Sequence, residues 1–449
     1  MDFIRHFFEI DKRGSTIGVE MAAGGTTYLT MSYIIFVQPA VLSMAGMDFG
    51  AVMVATCLSA AAGSFLMALL ANYPIALAPA MGHNFFFALT VCGAAGAGGM
   101  GFSWREGLAA VFVSGAIFLS LSVFGFREKI INAFPSSLRL GLAVGIGLLI
   151  ALLGLEWGGV IVDKPGTLVG LGDLKSGPVL LTFFGTFLIM SLTIRKVRGA
   201  ILAGIIACAL IAATSGMASF QGIVSAPPSL APTLFELDLA GLFSRPDFWV
   251  AIAVFFILDL FDTVGTLLGV ATSANLLDKD GKLPRAERAL AADAGATSLG
   301  ALLGTSTVTS YIESSAGVAA GGKTGLTAVT TGVLFALSIF FMPLAGMVGG
   351  GYEVAEGVYL YPVIAPALIV VGAMMLSLVS HISWNDPAEG FSAYLTIIIT
   401  PLSFSITEGV SAGFISYSVL KTVQGEFSRV HPVTHLLALV FALRYVFLT

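Results

Sequence analysis

Long apolar runs decide what this chain can become. About 20 consecutive apolar residues are enough to cross the hydrocarbon core of a bilayer. Runs of that kind cover roughly 16–45, 50–71, 74–95, 105–125, 136–156, 178–194, 199–215, 247–272, 286–304, 305–320, 325–349, 360–382, 388–405 and 407–422. They make about fourteen candidate spans, several of them short or interrupted by glycine. The stretch 431–448 adds one further surface or buried helix. Only 10% of the 449 residues are charged, against about 25% in soluble proteins. A water-exposed surface cannot be covered with so few charges, which excludes a soluble enzyme and a disordered chain. A nucleic-acid binder would be basic, whereas the net charge here is −5. What remains is an all-α polytopic membrane protein. Its 53 glycines suit that class, because small residues let membrane helices approach closely.

The basic residues orient the chain. Lys and Arg accumulate on the cytoplasmic side of membrane proteins. With the N-terminus inside, 17 of the 21 Lys and Arg fall on inner segments. Arg5, Lys12 and Arg13 lead, followed by Arg127, Lys129 and Arg139, then Arg195, Lys196 and Arg198. Lys279, Lys282, Arg285, Arg288, Lys323, Lys421, Arg429 and Arg444 complete the inner set, leaving Arg105, Lys164, Lys175 and Arg245 outside. The split predicts fourteen spans with both termini cytoplasmic, in a cytoplasmic membrane. Met1–Gly14 has no apolar h-region, so no cleaved signal peptide is expected. Cys57, Cys92 and Cys208 lie inside apolar runs without a CxxC; they read as small core residues rather than a disulfide framework.

The polar stretch 216–246, with Pro227, Pro228 and Pro232, divides the chain near its middle. Seven spans precede it and seven follow, so the halves run in opposite senses. That 7+7 inverted repeat is an arrangement of transporters whose sites sit near the bilayer midplane on discontinuous helices. The third span of each half, spans three and ten, looks broken. In the first, Pro74 and Pro79 of Asn72–Asn84 prevent a continuous helix. In the second, Thr305–Thr309 is β-branched and favours an extended piece. Each predicts a short extended stretch followed by a half-helix. Non-helical backbone at that depth is tolerated only where it is buried in protein or lines a cavity. The half-helix N-termini are expected to aim free N–H groups at the site.

Six acids fall in or near spans: Glu20, Asp259, Asp262, Asp293, Glu313 and Glu408. A charge at the bilayer centre costs at least about 2.5–3.5 kcal/mol, so such residues are functional candidates by default. Asp259 and Asp262 are three apart, which puts both on one helix face. Glu313 follows the second broken segment. The competing structural role for each acid is to brace a helix end by accepting backbone N–H bonds. That role suits Glu20 and Glu408 at their span ends and is evenly weighed for Asp293. His83 precedes Asn84 at the first half-helix and reads equally as a packing residue or a ligand. A metal is not expected, because no second His or Cys has ligand spacing. Phe85, Phe86 and Phe87 are consecutive, so only one or two can face a site. Phe85 can stack on a flat substrate, while core or lipid packing suits the run as a whole. Gly321–Thr324 lacks the phosphate-loop spacing and reads as a tight cytoplasmic turn.

These residues are similar to one known family. The chain resembles the adenine/guanine/hypoxanthine permeases, the purine branch of the nucleobase:cation symporters, along nearly its whole length. The resemblance is carried by Ala23–Tyr33, Ala76–Asn84, Asp259–Leu267, Ala292–Ala294 with Gly304–Val318, Gly321–Ala328, and Ile406–Val410 with Gly413–Ile415. Span three departs from the family's usual pattern at Ala80, His83 and Phe85, and span one at Gln38.

The resemblance implies a core domain from 14–125 and 246–350 and a gate domain from 126–216 and 356–424. A cytoplasmic or surface helix over 425–449 follows. It implies proton-coupled uptake of a purine base, as a homodimer whose core moves elevator-like against the gate. No cofactor beyond the coupling proton and no nucleic-acid partner is implied. Asn84, Asp259 and Glu313 are the implied substrate contacts, with Phe85, His83 and Ser314 beside them. Asp262 and Asp293 are the implied coupling or structural acids. Uracil or xanthine uptake, and an anion carrier or channel on the same 7+7 architecture, are the alternatives. Asp259 and Glu313 argue against an anion, which they would repel.

Overall fold

The computed structural model describes residues 2–94, 99–123, 135–164, 166–274, 276, 283–356 and 358–447. Arg127, Lys129, Lys279 and Lys282, and the 125/126 domain boundary, lie outside the described residues.

The chain is helical with three small two-stranded sheets. The first half comprises α1 (Asp2–Phe7), α2 (Ile17–Met31), α3 (Ile34–Ser43), α4 (Phe49–Leu70), β1 (Leu77–Pro79) and α5 (Met81–Phe85). It continues with α6 (Trp104–Val123), α7 (Ser136–Trp157), the hairpin β2 (Ile161–Lys164) and β3 (Leu168–Leu171), α8 (Gly177–Ile194) and α9 (Ala200–Thr214). The short α10 (Leu239–Ser244) lies in the middle polar stretch. The second half comprises α11 (Phe248–Ser273), α12 (Ala286–Leu303), β4 (Val308–Ser310), α13 (Ser314–Ala319), α14 (Gly325–Leu337) and α15 (Met342–Gly349). It ends with the hairpin β5 (Tyr352–Ala355) and β6 (Val358–Leu360), then α16 (Ala365–Met375), α17 (Pro387–Leu402), α18 (Ile406–Val423) and α19 (Pro432–Phe447).

Among the described residues, six helical stretches are long and apolar enough to cross a membrane unaided: Phe49–Leu70, Trp104–Ser122, Ser136–Trp157, Gly177–Ile194, Phe248–Thr272 and Gly325–Gly349. The other apolar runs are shorter or divided. The run 16–45 breaks into α2 and α3, and α3 carries Pro39 inside it. Starts are set by side chains that accept the free N–H groups of the first turn. Thr16 accepts from Val19 N, Asp48 from Ala51 N, and Asp386 from Ala388 N. Hydroxyls inside the apolar helices bond their own backbone one turn back, as Thr56 does to Val52 O and Thr182 to Pro178 O. Three free cysteines bear out the core reading in two cases: Cys57 and Cys208 are buried, and Cys92 is half-buried.

Packing gathers the helices into two groups. In one, α4 contacts α3, α12 and α14, while α2 lies against α13 and α14 and α6 against α11 and α12. In the other, α7 lies against α16, α17 and α18, and α8 against α9 and α16. Contact between the groups is sparse and runs through α2 with α9, α5 with α7, α9 with α15 and α18 with residues 86–91. The terminal α19 packs on α18, with Phe441 buried.

Two acids near span ends act as braces. Glu20 is fully buried and accepts from Lys323 N, Thr324 N and Thr327 Oγ1. It thereby holds the turn at Gly321–Thr324, where Gly321 has φ +106°, a backbone region that favours glycine. Glu408 accepts from Arg444 Nη1 at 2.7 Å and from the Tyr445 hydroxyl, tying α19 down.

Candidate functional site

The two predicted extended stretches meet. Strand β1 pairs antiparallel with β4, with Leu77 opposite Ser310, Ala78 opposite Thr309 and Pro79 opposite Val308. Ala80 N donates to Thr307 O, and Tyr311 N to Ala76 O, each at 3.0 Å. Three residues per strand are too few to satisfy an apolar surrounding by themselves, and each orphaned backbone group there is costly. Neighbouring helices supply the missing partners. Ser64 Oγ of α4 accepts from Leu77 N, and Thr297 Oγ1 of α12 donates to Val308 O. The Tyr311 hydroxyl donates to Pro79 O. Ser314 Oγ accepts from Ala76 N at 3.0 Å, so this residue clamps one arm to the other.

The second arm is bonded at nearly every group, Thr307 Oγ1 being an exception. Asp293 of α12 is fully buried and accepts from Thr263 Oγ1 at 2.6 Å, Ser310 N at 2.8 Å and Ser310 Oγ at 2.9 Å. Glu313 Oε1 accepts from the Tyr33 hydroxyl at 2.7 Å. Free N–H groups were expected at the start of α13. The tight turn consumes them instead, because Ser314, Ser315 and Ala316 N–H donate to Tyr311, Ile312 and Glu313 carbonyls.

The first arm is different. After α5 the helix widens into a π turn over Phe86–Val91. Phe85 at the end of α5 and Phe86 and Phe87 in the π turn are each fully buried. Phe86 packs edge-on against Phe255 with centroids 4.7 Å apart, and Phe85 faces Trp157 of α7 at 6.3 Å. Neither nitrogen of buried His83 has a well-formed hydrogen bond. Asn84 Nδ2 donates to Gln38 Oε1 at 2.8 Å, while its Oδ1 is buried with no partner. Sequence reasoning passed over Gln38 except as a departure from pattern. A polar residue before Pro39 inside an apolar helix was the available signal.

The four membrane carboxylates sort into two pairs. Asp259 and Asp293 are fully buried side by side; Asp259 Oδ2 accepts from Thr297 Oγ1 at 3.2 Å, and its Oδ1 has no partner. Asp262 and Glu313 form the second pair. Asp262 is exposed and Glu313 half-buried, and Asp262 Oδ2 accepts from Thr309 Oγ1 at 3.0 Å. Helix α11 thus presents one acid to the protein interior and, three residues on, one acid to open space. Among the described residues no cluster of His, Cys, Asp and Glu is suited to a metal.

A cavity of about 660 Å³ lies beside Glu313. Thr30, Glu313 and Ala316 line one wall, and Gly199, Val371 and Met374 of the other helix group line the opposite wall. Lys196 and Arg198 also border it, residues on a segment that the charge distribution assigns to the cytoplasmic side. The size suits a small organic ligand, for which sites of about 300–1,000 Å³ are usual.

The comparisons agree with this architecture. Residues 18–415 match the model of the Permease family. The chain is 45% identical to adenine permease AdeP of Escherichia coli, over 99% of this chain and 96% of that one. It is 43% identical to guanine/hypoxanthine permease PbuG of Bacillus subtilis, over 99% and 100%. Among solved structures, the transmembrane domain of the cyanobacterial bicarbonate transporter BicA superposes with a TM-score of 0.64 at 14% identity, over 87% of this chain and 97% of that one. That likeness shows a shared transporter fold. Apolar helices, two helix groups around a polar crossing and these full-length matches converge: the chain is a multi-pass membrane protein and belongs to the Permease family.

Proposed function

We propose that this protein carries purine nucleobases (adenine, guanine or hypoxanthine) across the cytoplasmic membrane, driven by protons. The observation that carries the reading is the near-equal, end-to-end similarity to an adenine permease and a guanine/hypoxanthine permease. The polar crossing supports it. A purine offers ring N–H donors together with ring-nitrogen and carbonyl or amino groups. Carboxylates accept from the former, and an amide can serve either kind. Asn84, Asp259 and Glu313 are the proposed contacts, with His83, Phe85 and Ser314 shaping the site. Asp262 and Asp293 are proposed to hold or pass the coupling proton.

In this reading the chain crosses the membrane fourteen times as a 7+7 inverted repeat, with spans three and ten broken at β1 and β4 and both termini cytoplasmic. The core is 14–125 with 246–350 and the gate is 126–216 with 356–424. Sparse contact between the two helix groups suits an elevator-like shift of one against the other, and a homodimer would anchor the gates. The cavity beside Glu313 is the cytoplasmic route. An anion carrier on this fold is disfavoured, because Glu313 lines the cavity and would repel an anion.

The test is uptake of radiolabelled adenine, guanine and hypoxanthine in cells lacking their own nucleobase permeases, with unlabelled competitors and a protonophore. Uptake that competitors and the protonophore suppress is expected. If none of the three bases enters or competes, the purine reading fails; uptake indifferent to the protonophore removes proton coupling.

A further inference from the structure

Buried polar atoms without partners are rare in folded proteins, and each asks for an explanation. His83, Asn84, Asp259 and Thr307 all carry one. All four lie at or beside the β1–β4 crossing, on its two arms and on the neighbouring α11. The Asn84 amide is the most informative, because its other end is held. Asn84 Nδ2 donates to Gln38 Oε1 at 2.8 Å. Gln38 Nε2 donates to Thr305 Oγ1 at 2.9 Å and to Ser306 Oγ at 2.8 Å. Gln38, Asn84, Thr305 and Ser306 are all fully buried. The chain of bonds therefore runs from α3 to α5 on one side and to the segment before β4 on the other.

This chain has a particular symmetry. A hydroxyl both donates and accepts, and an amide exchanges the two roles when it turns by half a revolution. If Gln38 and Asn84 turn together, Thr305 and Ser306 donate to Gln38 Oε1, and Gln38 Nε2 donates to Asn84 Oδ1. The same three bonds form. At Asn84 the difference is the atom left over, a carbonyl oxygen in one arrangement and an NH2 in the other; in the second, both hydroxyls spend their protons on Gln38 Oε1 and one Gln38 N–H is freed.

Resting on the purine reading above, we infer that Gln38 is a positioning residue and that the Gln38–Asn84 pair is a reversible amide relay. Through it one site reads both 6-amino purines, which need an acceptor, and 6-oxo purines, which need a donor. Hydroxyls at 305 and 306 are what keep the relay reversible. A carboxylate at either amide position would hold it in the acceptor-presenting state.

The experiment measures adenine and hypoxanthine affinities by mutual competition in the uptake assay, with membrane abundance determined in parallel. In the wild type the two bases compete with affinities within about tenfold of each other. In Gln38→Glu and in Asn84→Asp, the preference moves toward adenine by about tenfold or more, a shift of about 1.4 kcal/mol. In Gln38→Leu, which unties Asn84 without choosing a polarity, both affinities fall alike. A merely structural Gln38 would change abundance or both affinities together and leave their ratio untouched. If neither acidic variant moves the ratio, the relay is wrong. Wild-type uptake of one base class alone overturns the relay and leaves the purine reading standing. Uptake of neither overturns both.

Discussion

The two arms of the crossing pair strand to strand, yet they are built for different work. The second arm, Thr305–Ala319, is bonded at nearly every group. Asp293 holds Ser310 twice, Tyr33 holds Glu313, and Ser314 holds Ala76. The first arm, Ala76–Val91, is secured mainly by its strand and by aromatic packing. It keeps unspent polar atoms on His83 and Asn84. Buried polar groups left without partners are costly, so a membrane protein retains them where something else completes the set. The difference separates a frame from a reading surface, although a repeat would suggest equivalence.

The largest expected effect breaks the frame. Asp293→Ala removes the acceptor for three buried bonds, and each buried donor left unsatisfied costs about 1–3 kcal/mol. Thermal unfolding in detergent should show a steep drop in midpoint or loss of folded protein. A midpoint near wild type would mean that the second arm is not the frame.

Next come the proposed substrate contacts. Asp259→Asn and Glu313→Gln keep hydrogen-bonding atoms for Thr297 and Tyr33, so membrane expression should persist. Base binding should weaken by about a hundredfold, about 2.7 kcal/mol. Wild-type affinity in either variant removes that acid from the site. Ser314→Ala sharpens the distinction at smaller scale. It deletes the single bond between the arms at Ala76 N, and a bond of that kind contributes about 1 kcal/mol. A drop of a few degrees in unfolding midpoint should accompany nearly unchanged base affinity; a change in affinity alone would place Ser314 on the reading side.

The smallest stability effect belongs to His83→Leu. At most a poorly aligned contact to the Leu258 backbone is lost, and an apolar group of similar size at such a position is close to neutral, within about 0.5 kcal/mol. The midpoint should stay put. If it falls as far as in Ser314→Ala, His83 belongs to the frame.

Much of the architecture was legible in advance, for identifiable reasons. Hydrophobic run length is a local property with a fixed physical scale, so α4, α7, α8 and α11 coincide to within one residue at each end with the runs that length alone marks out. Pro79 and the β-branched stretch before Ser310 are local breakers, and strands lie at both. Glu20 and Glu408 read as end braces, and both bind helix termini or a neighbouring helix. Free N–H groups at the second half-helix were not borne out, since a tight turn spends them, and turn type depends on how Tyr311 and Ser314 are held by distant residues. Core or lipid packing suits the phenylalanine run as a whole, and all three rings are buried.

What the sequence determined by itself is the solvent in which this protein folds, the scarcity of charges within its spans, and the two places where helix gives way to strand. Each follows from composition or from a local backbone preference. Only the tertiary structure decided which acid of the Asp259/Asp262 pair faces the interior and which faces open space, and that Gln38 meets Asn84 across 46 positions of chain. Those outcomes depend on how helices are rotated and stacked. Rotation is set by the summed packing of many side chains, so no short stretch of sequence encodes it.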